Sequence, residues 1–321
     1  MSKVLVKEPP QTSSYSQPLS EPLAPVVLDA VKPAESLSLP ARIMYGVNVA
    51  FVMVIPVAGA VLAIALAFLG RTQGVHVALF AVGFVLTGFG ITIGYHRLET
   101  HRSFETHPLV KAVLLILGSM AVQGAVTDWV ANHVKHHAHA DDPSDPHSPR
   151  AGLFHAHWGW LVHFSDIEVE KYAAAVLKDR VAMWVSATFP AWVTAGYVIP
   201  FLIAGWEGLI WGGLFRQFAV QNVTFAVNSV CHRFGGRPFN TGDLSTNNWV
   251  VGILGLGEGW HNNHHAFPTS AFHGLRWWEI DFSGWVIRGL AAVRLVWNVK
   301  RPTVSQMQSR AQVAAGSAAR L

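Results

Sequence analysis

The stretches WVANHVKHH (129–137) and GEGWHNNHH (257–265) each place three histidines within five positions. Imidazole is the commonest metal ligand among side chains. Histidines at i, i+3 and i+4 share one face of a helix, so each stretch is expected to aim its three rings at a common point. Two further stretches add to them. HRLETH carries His96 and His101, and NSVCH carries Asn228 and His232 at i, i+4. His96 and His101 are five apart, which on a regular helix separates them by about 140°. They would flank a site or address two metals, unless the helix ends between them.

Each stretch alone has an ordinary reading, as an interfacial histidine pair, a polar loop, a span-end cap or a turn. Together, His96, His101, His133, His136, His137, His232, His261, His264 and His265 are too many for a four-ligand zinc and fit two ions of four or five ligands each. The single cysteine, Cys231, excludes cysteine-rich zinc and iron–sulfur sites. Glu99, Asp128, Asp141 and Glu258 lie outside the repeated spacings, so Glu-x-x-His di-iron ligation does not fit. Imidazole suits zinc, copper, iron and nickel, and a dinuclear iron site held almost wholly by histidine, suited to activating O₂, is the natural proposal.

The elements that must position these rings are membrane helices. The chain is 51% hydrophobic and 13% charged, with a mean hydropathy of +0.32, well apart from an ordinary soluble domain. Its net charge of +4 is not gathered into basic, aromatic-interleaved stretches, so no nucleic-acid partner is expected. Thirteen tryptophans suit the bilayer interface. Apolar runs at 44–69, 75–95, 181–203 and 209–227 are each long enough to span the hydrocarbon. The links GRTQG and AGWEG fold them into two hairpins. The expected fold is all-α and integral to the membrane, four transmembrane helices in two hairpins beneath a helical cap carrying the histidine-rich di-iron site. Basic residues concentrate in the long connector and after the fourth run, placing both termini, the cap and the active site in the cytoplasm, at a bacterial inner membrane. All four histidine stretches then meet on one side. Residues 109–126 read as an interfacial or cap-packed helix. Residues 1–40, rich in proline and serine, read as a disordered tail without a signal peptide, 41–302 as the membrane domain, and 303–321 as a short tail.

In this order and at these separations, HRLETH, WVANHVKHH, VNSVCHRFGGRPF and GEGWHNNHH resemble the integral-membrane acyl-CoA desaturases of the stearoyl-CoA delta-9 type, over about residues 41–302. The resemblance implies nine histidines binding two irons, with Asn228 reaching one through a water. It implies O₂-dependent removal of two hydrogens from a saturated acyl chain, with electrons from an external cytochrome b5-like protein or a ferredoxin and its reductase. It also implies a kinked substrate tunnel at Gln123, Trp129 and Thr224, which would set the double-bond position. Two departures concern the carrier. Ala131 stands where animal members have arginine, and Val47 replaces an arginine before Asn48, a possible headgroup contact. Acyl-CoA is the first expectation and acyl-phospholipid the second. DPHS and HWGW also resemble family stretches; His147 and His157 are expected to support the site, and His76, near an outer turn, to play no part. A membrane hydroxylase on the same metals and a bis-histidine haem protein are the alternatives.

Overall fold

In the computed structural model, residues 38–162 and 167–311 are described; the expected disordered tail lies almost wholly outside them. The protein is mostly helical, and among the described residues three helical stretches are long and apolar enough to cross a membrane: α1 (Leu39–Phe68), α2 (Gly74–Thr100) and a run over Phe189–Ser229. Between them lie α3 (Pro108–Ser119), α4 (Val126–His139) and α5 (Arg180–Ala187).

The 41-residue run Phe189–Ser229 is not one straight helix. Ala204 (φ −141°, ψ 26°) and Gly205 (φ 61°, ψ −147°) leave the helical region, a break that glycine tolerates at positive φ. Beyond it the chain turns back. The Tyr197 hydroxyl donates to Gln217, and the Arg216 guanidinium donates to the Gly196 carbonyl. The two arms are α6 (Phe189–Gly208) and α7 (209–229). The expected run 181–203 is therefore corrected: α5 is a separate helix, ended at Thr188 (φ −99°, ψ 11°), and the long apolar helix starts at Phe189. An Arg71–Glu207 ion pair joins the two hairpin turns.

Helix α3 has only 12 residues, about 18 Å at 1.5 Å per residue and too short to span. It lies across α2 at a point without side chains: a Cβ on Gly90 would sit 2.1 Å from the Gly118 nitrogen. Small residues let helix backbones meet in this way. Buried Arg216 ties this bundle together, donating to the carbonyls of Gly212 and Met120 and to the Thr87 hydroxyl.

The cap is built from α4, α8 (Trp249–Leu254), α9 (His261–Ala266) and α10 (Phe282–Ala292), with a two-residue antiparallel pairing of Glu105–Thr106 and Val296–Trp297. The expected C-terminal tail is folded from 303 to 311. α11 (Val304–Arg310) starts with a Thr303–Gln306 capping box. Its Arg310 donates to the Ala266 carbonyl at the end of α9, and Met307 packs on the Phe239–Phe267 cluster.

Candidate metal centre

The histidine end of α2 is wound as a π-helix over Gly90–Thr100. The His101 amide donates to the His96 carbonyl at 3.1 Å, an i to i+5 bond. That winding puts residues five apart on the same side of the helix. The expectation that His96 and His101 flank a site or address two metals is thereby corrected; both rings point into one cluster.

The nine histidines fall into two groups: His96, His101, His133, His137 and His264 in one, His136, His232, His261 and His265 in the other. Neither three-histidine stretch aims at a single point. On α4, His133 and His137 face the first group and His136 the second; on α9, His261 and His265 face the second and His264 the first. The i, i+4 pairs share a face, and the intervening ring crosses to the neighbouring group. Each helix thus serves both.

Carboxylates stand behind four of the rings. Nδ1 of His96 lies 2.6 Å from Glu258, His136 3.0 Å from Asp145, His232 3.1 Å from Asp141 and His265 2.7 Å from Asp243. A proton held on Nδ1 by a carboxylate leaves Nε2 as a bare lone pair. The Nε2 atoms of these and the neighbouring rings face each other. Nε2–Nε2 separations are 3.1 Å for His96–His264, 2.9 Å for His137–His264, 3.0 Å for His101–His133 and 2.9 Å for His232–His261. Adjacent nitrogens each about 2.1 Å from a shared metal, at right angles, would be about 3.0 Å apart. The buried Nε2 atoms of His136 and His265 have no hydrogen-bond partner. The donor set fits a metal ion in each group. Five imidazoles converging in one group leave no plane for a haem.

Burial pushes His133, His137, His261 and His264 well below the ordinary imidazole value, and neighbouring imidazoles push in the same direction. They are neutral and ready to ligate at physiological pH. His232 is raised instead: burial opposes its charge, but Asp141, Asp243 and Asp145 outweigh it.

Glu258 is held by Arg97, whose guanidinium, fully buried beside His96, donates to Glu258 at 3.0 Å and to Asp281 at 3.0 Å. Asp141 and Glu258, which lie outside the repeated histidine spacings, thus stand behind the rings. Asp145, Asp243 and His273, to which no sequence motif assigns a role, stand there too. The His273 ring is buried 4.5 Å from His264, and its Nδ1 is 3.3 Å from Glu258. His273 lies outside the histidine-dense stretches, and only the fold brings it in.

A cavity of about 380 Å³ reaches both groups, with His96, His133 and His261 in its wall. Gln123, Trp129 and Thr224 line it together. Gln123 donates to the Thr224 hydroxyl at 3.0 Å and accepts from the Trp129 indole at 3.3 Å. Asn228 and Asn48 also line the cavity. His147 backs Asp145 at 3.3 Å. His157 bonds Ser229 and Asn222 on α7, supporting the helix that carries Asn228. His76 caps the start of α2, twenty residues from His96 and so about 30 Å away along the helix.

Comparison with known proteins settles the kinship. The family model for fatty acid desaturases matches residues 73–292. The chain belongs to the fatty acid desaturase family. As a member it is an oxidoreductase, and its long apolar helices agree with membrane association. Among relatives of this desaturase are a hex-5-enoyl-[acyl-carrier protein] acetylenase from Moorena producens, 38% identical over 80% of this chain and 87% of the relative. An icosanoyl-CoA 5-desaturase from Limnanthes douglasii is 43% identical over 71% of this chain and 67% of its own. An sn-1 stearoyl-lipid 9-desaturase from Anabaena variabilis is 41% identical over 66% of this chain and 79% of its own.

Proposed function

We propose that this protein is an O₂-dependent fatty acyl desaturase that forms a cis double bond, at carbon 9, in a saturated acyl chain. The observation that carries the reading is the contact between two histidine groups, of five and four rings, and one cavity. Two iron ions would be held there, one by His96, His101, His133, His137 and His264, the other by His136, His232, His261 and His265, with Asn228 reaching one through a water. When bound, the irons would supply reduction of O₂ to two waters, using two electrons from an external donor, two protons from solvent and two hydrogens from the substrate. A cytochrome b5-like protein or a ferredoxin with its reductase fits the donor role.

The chain's own residues do the positioning. The hydrogen-bonded Gln123, Trp129 and Thr224 fix the cavity wall beside His133, and Trp129 stacks on the His133 ring at 5.0 Å. A wall of fixed shape holds one carbon pair at the metals, and so selects the bond position. The surrounding apolar wall keeps water from the reacting carbons. Two hairpins make four membrane spans, α1, α2, α6 and α7, with both termini and the histidine cap on the cytoplasmic side of a bacterial inner membrane.

The test is gas chromatography–mass spectrometry of fatty acid methyl esters, after dimethyl disulfide derivatisation, from a desaturase-deficient host expressing the chain. The expected result is a new monoene with the bond at carbon 9, absent with His264→Ala. A hydroxy acid instead would replace desaturation by hydroxylation, and a bond elsewhere would remove the positional role of the Gln123 triad.

A further inference from the structure

His273 stands on the segment between α9 and α10. Its ring is 1% exposed, 4.5 Å from that of His264 and 5.3 Å from that of His96, yet it is not one of the nine that form the two groups. As packing alone the residue is a poor choice. Among the described residues, neither ring nitrogen has an aligned hydrogen-bond partner, and a buried polar atom left so costs about 1–3 kcal/mol. A phenylalanine would fill similar space without that cost. What an imidazole adds here is an N–H beside a carboxylate.

That carboxylate is Glu258. Its Oε1 accepts from Nε and Nη2 of Arg97 at 3.2 Å and 3.0 Å. Its Oε2 faces Nδ1 of His96 at 2.6 Å and Nδ1 of His273 at 3.3 Å. Arg97 grips only the first oxygen, and rotation about that grip would carry Oε2 away from His96. A second N–H attracted to Oε2 opposes the rotation.

The main chain of His273 is fastened to the same groups. Its N–H donates to Asp281 at 2.8 Å, Asp281 accepts from both terminal nitrogens of Arg97 at 3.0 Å, and Arg97 returns to Glu258. The circuit is closed. The His273 carbonyl also accepts from Asn263 at 2.8 Å, and Asn263 directly precedes His264. The pattern recurs across the centre, where Nδ1 of His147 stands 3.3 Å from Asp145, the carboxylate behind His136.

We infer that His273 is a positioning residue of the five-histidine group, its Nδ1–H holding Oε2 of Glu258 in line with His96 so that the His96 ring keeps Nε2 aimed at the metal. This rests on the reading that the group holds an ion.

The experiment uses the full-length protein, titrated without oxygen with ferrous iron-57 against a chelator, each group being read by its own Mössbauer doublet. His273→Phe keeps a ring and removes the N–H; His273→Asn removes the ring and keeps an amide N–H near the place of Nδ1. His273→Phe is expected to lower the iron affinity of the five-histidine group by about 10–100-fold, with the four-histidine group unchanged, and His273→Asn by less than about tenfold. In a Glu258→Gln background His273→Phe should add little, because it acts through that carboxylate. Unchanged affinity in His273→Phe, an equal loss in His273→Asn, a full additional loss in the Glu258→Gln background, or loss of both ions together would overturn the assignment and leave the metal centre standing. If His273→Phe does not fold, His273→Asn decides alone: an ion retained in the five-histidine group supports the assignment, and one lost overturns it. A five-histidine group that takes up no iron in the wild-type protein would overturn both this assignment and the metal-centre reading.

Discussion

Nδ1 of His96 lies 2.6 Å from Oε2 of Glu258, and Arg97, the next residue along the chain, grips the other oxygen of the same carboxylate. One turn of α2 thus supplies both an imidazole and the clamp on the group that orients it. Glu258→Gln keeps the volume but gives His96 a neutral partner and leaves Arg97 with one carboxylate instead of two. Losing such a partner behind a ligand lowers metal affinity by about 10–100-fold. Metal titration should show that loss in the five-histidine group, with the four-histidine group, backed by Asp141, Asp145 and Asp243, retaining its ion.

Thr224→Val removes the acceptor for the Gln123 amide without changing the size of the side chain. An amide left unpaired costs about 1–3 kcal/mol. The Gln123 side chain is then free to turn, and the cavity wall beside His133 loses its fixed shape. Chromatography of the product should show the double bond spread over neighbouring positions. A single unchanged position would show that the triad does not set the register.

Metal-free protein should lose stability as the pH falls from neutral. His133, His137, His261 and His264 have folded-state values pushed below the unfolded one by burial and by each other. The unfolded chain therefore binds protons where the folded chain does not. The stability they contribute is complete above about pH 6.5 and declines below it, by up to about 1.4 kcal/mol per pH unit for each ring. His273, pushed down to about 4, and His147, to about 3, mark how far the decline extends. Unfolding midpoints measured between neutral pH and about pH 5 should fall steadily; a flat profile would contradict the assignment of neutral buried rings.

Gly90→Ala would push a Cβ onto the Gly118 backbone, which cannot move aside as a side chain could. Overpacking of this kind costs about 1–3 kcal/mol. Because His96 and His101 ride on the same helix, the variant should lower both the thermal midpoint and the metal content. A variant that lost neither would mean that α2 and α3 can part without disturbing the site.

Much of this arrangement is legible in the sequence, and what is not has identifiable causes. Residue type, number and spacing pick out the nine histidines, and the apolar runs with their short links give the hairpins. Regular-helix geometry misplaces the partners, however. The π-winding that brings His101 beside His96 begins at Gly90, where α2 packs on Gly118 of α3, a tertiary contact. The sharing of each stretch between two groups follows from the way α4 and α9 face each other, which no single-helix wheel contains. Glu258 and His273 act through partners more than 150 positions away, His96 in both cases. The apolar run from 181 hides the break at Thr188, because α5 is itself apolar and only its turn into α6 separates them. The start of the expected tail folds because Arg310 and Met307 find partners on α9 and Phe239.

The division of nine histidines into two metal-holding groups is the claim on which the rest depends, and metal analysis of the purified full chain tests it most directly. Mössbauer spectra of iron-57-loaded protein should show two iron environments in equal amounts, about two ions per chain. His264→Ala should selectively lose or alter one environment and His261→Ala the other. A single environment in the wild-type protein, left intact by either substitution, would contradict the account.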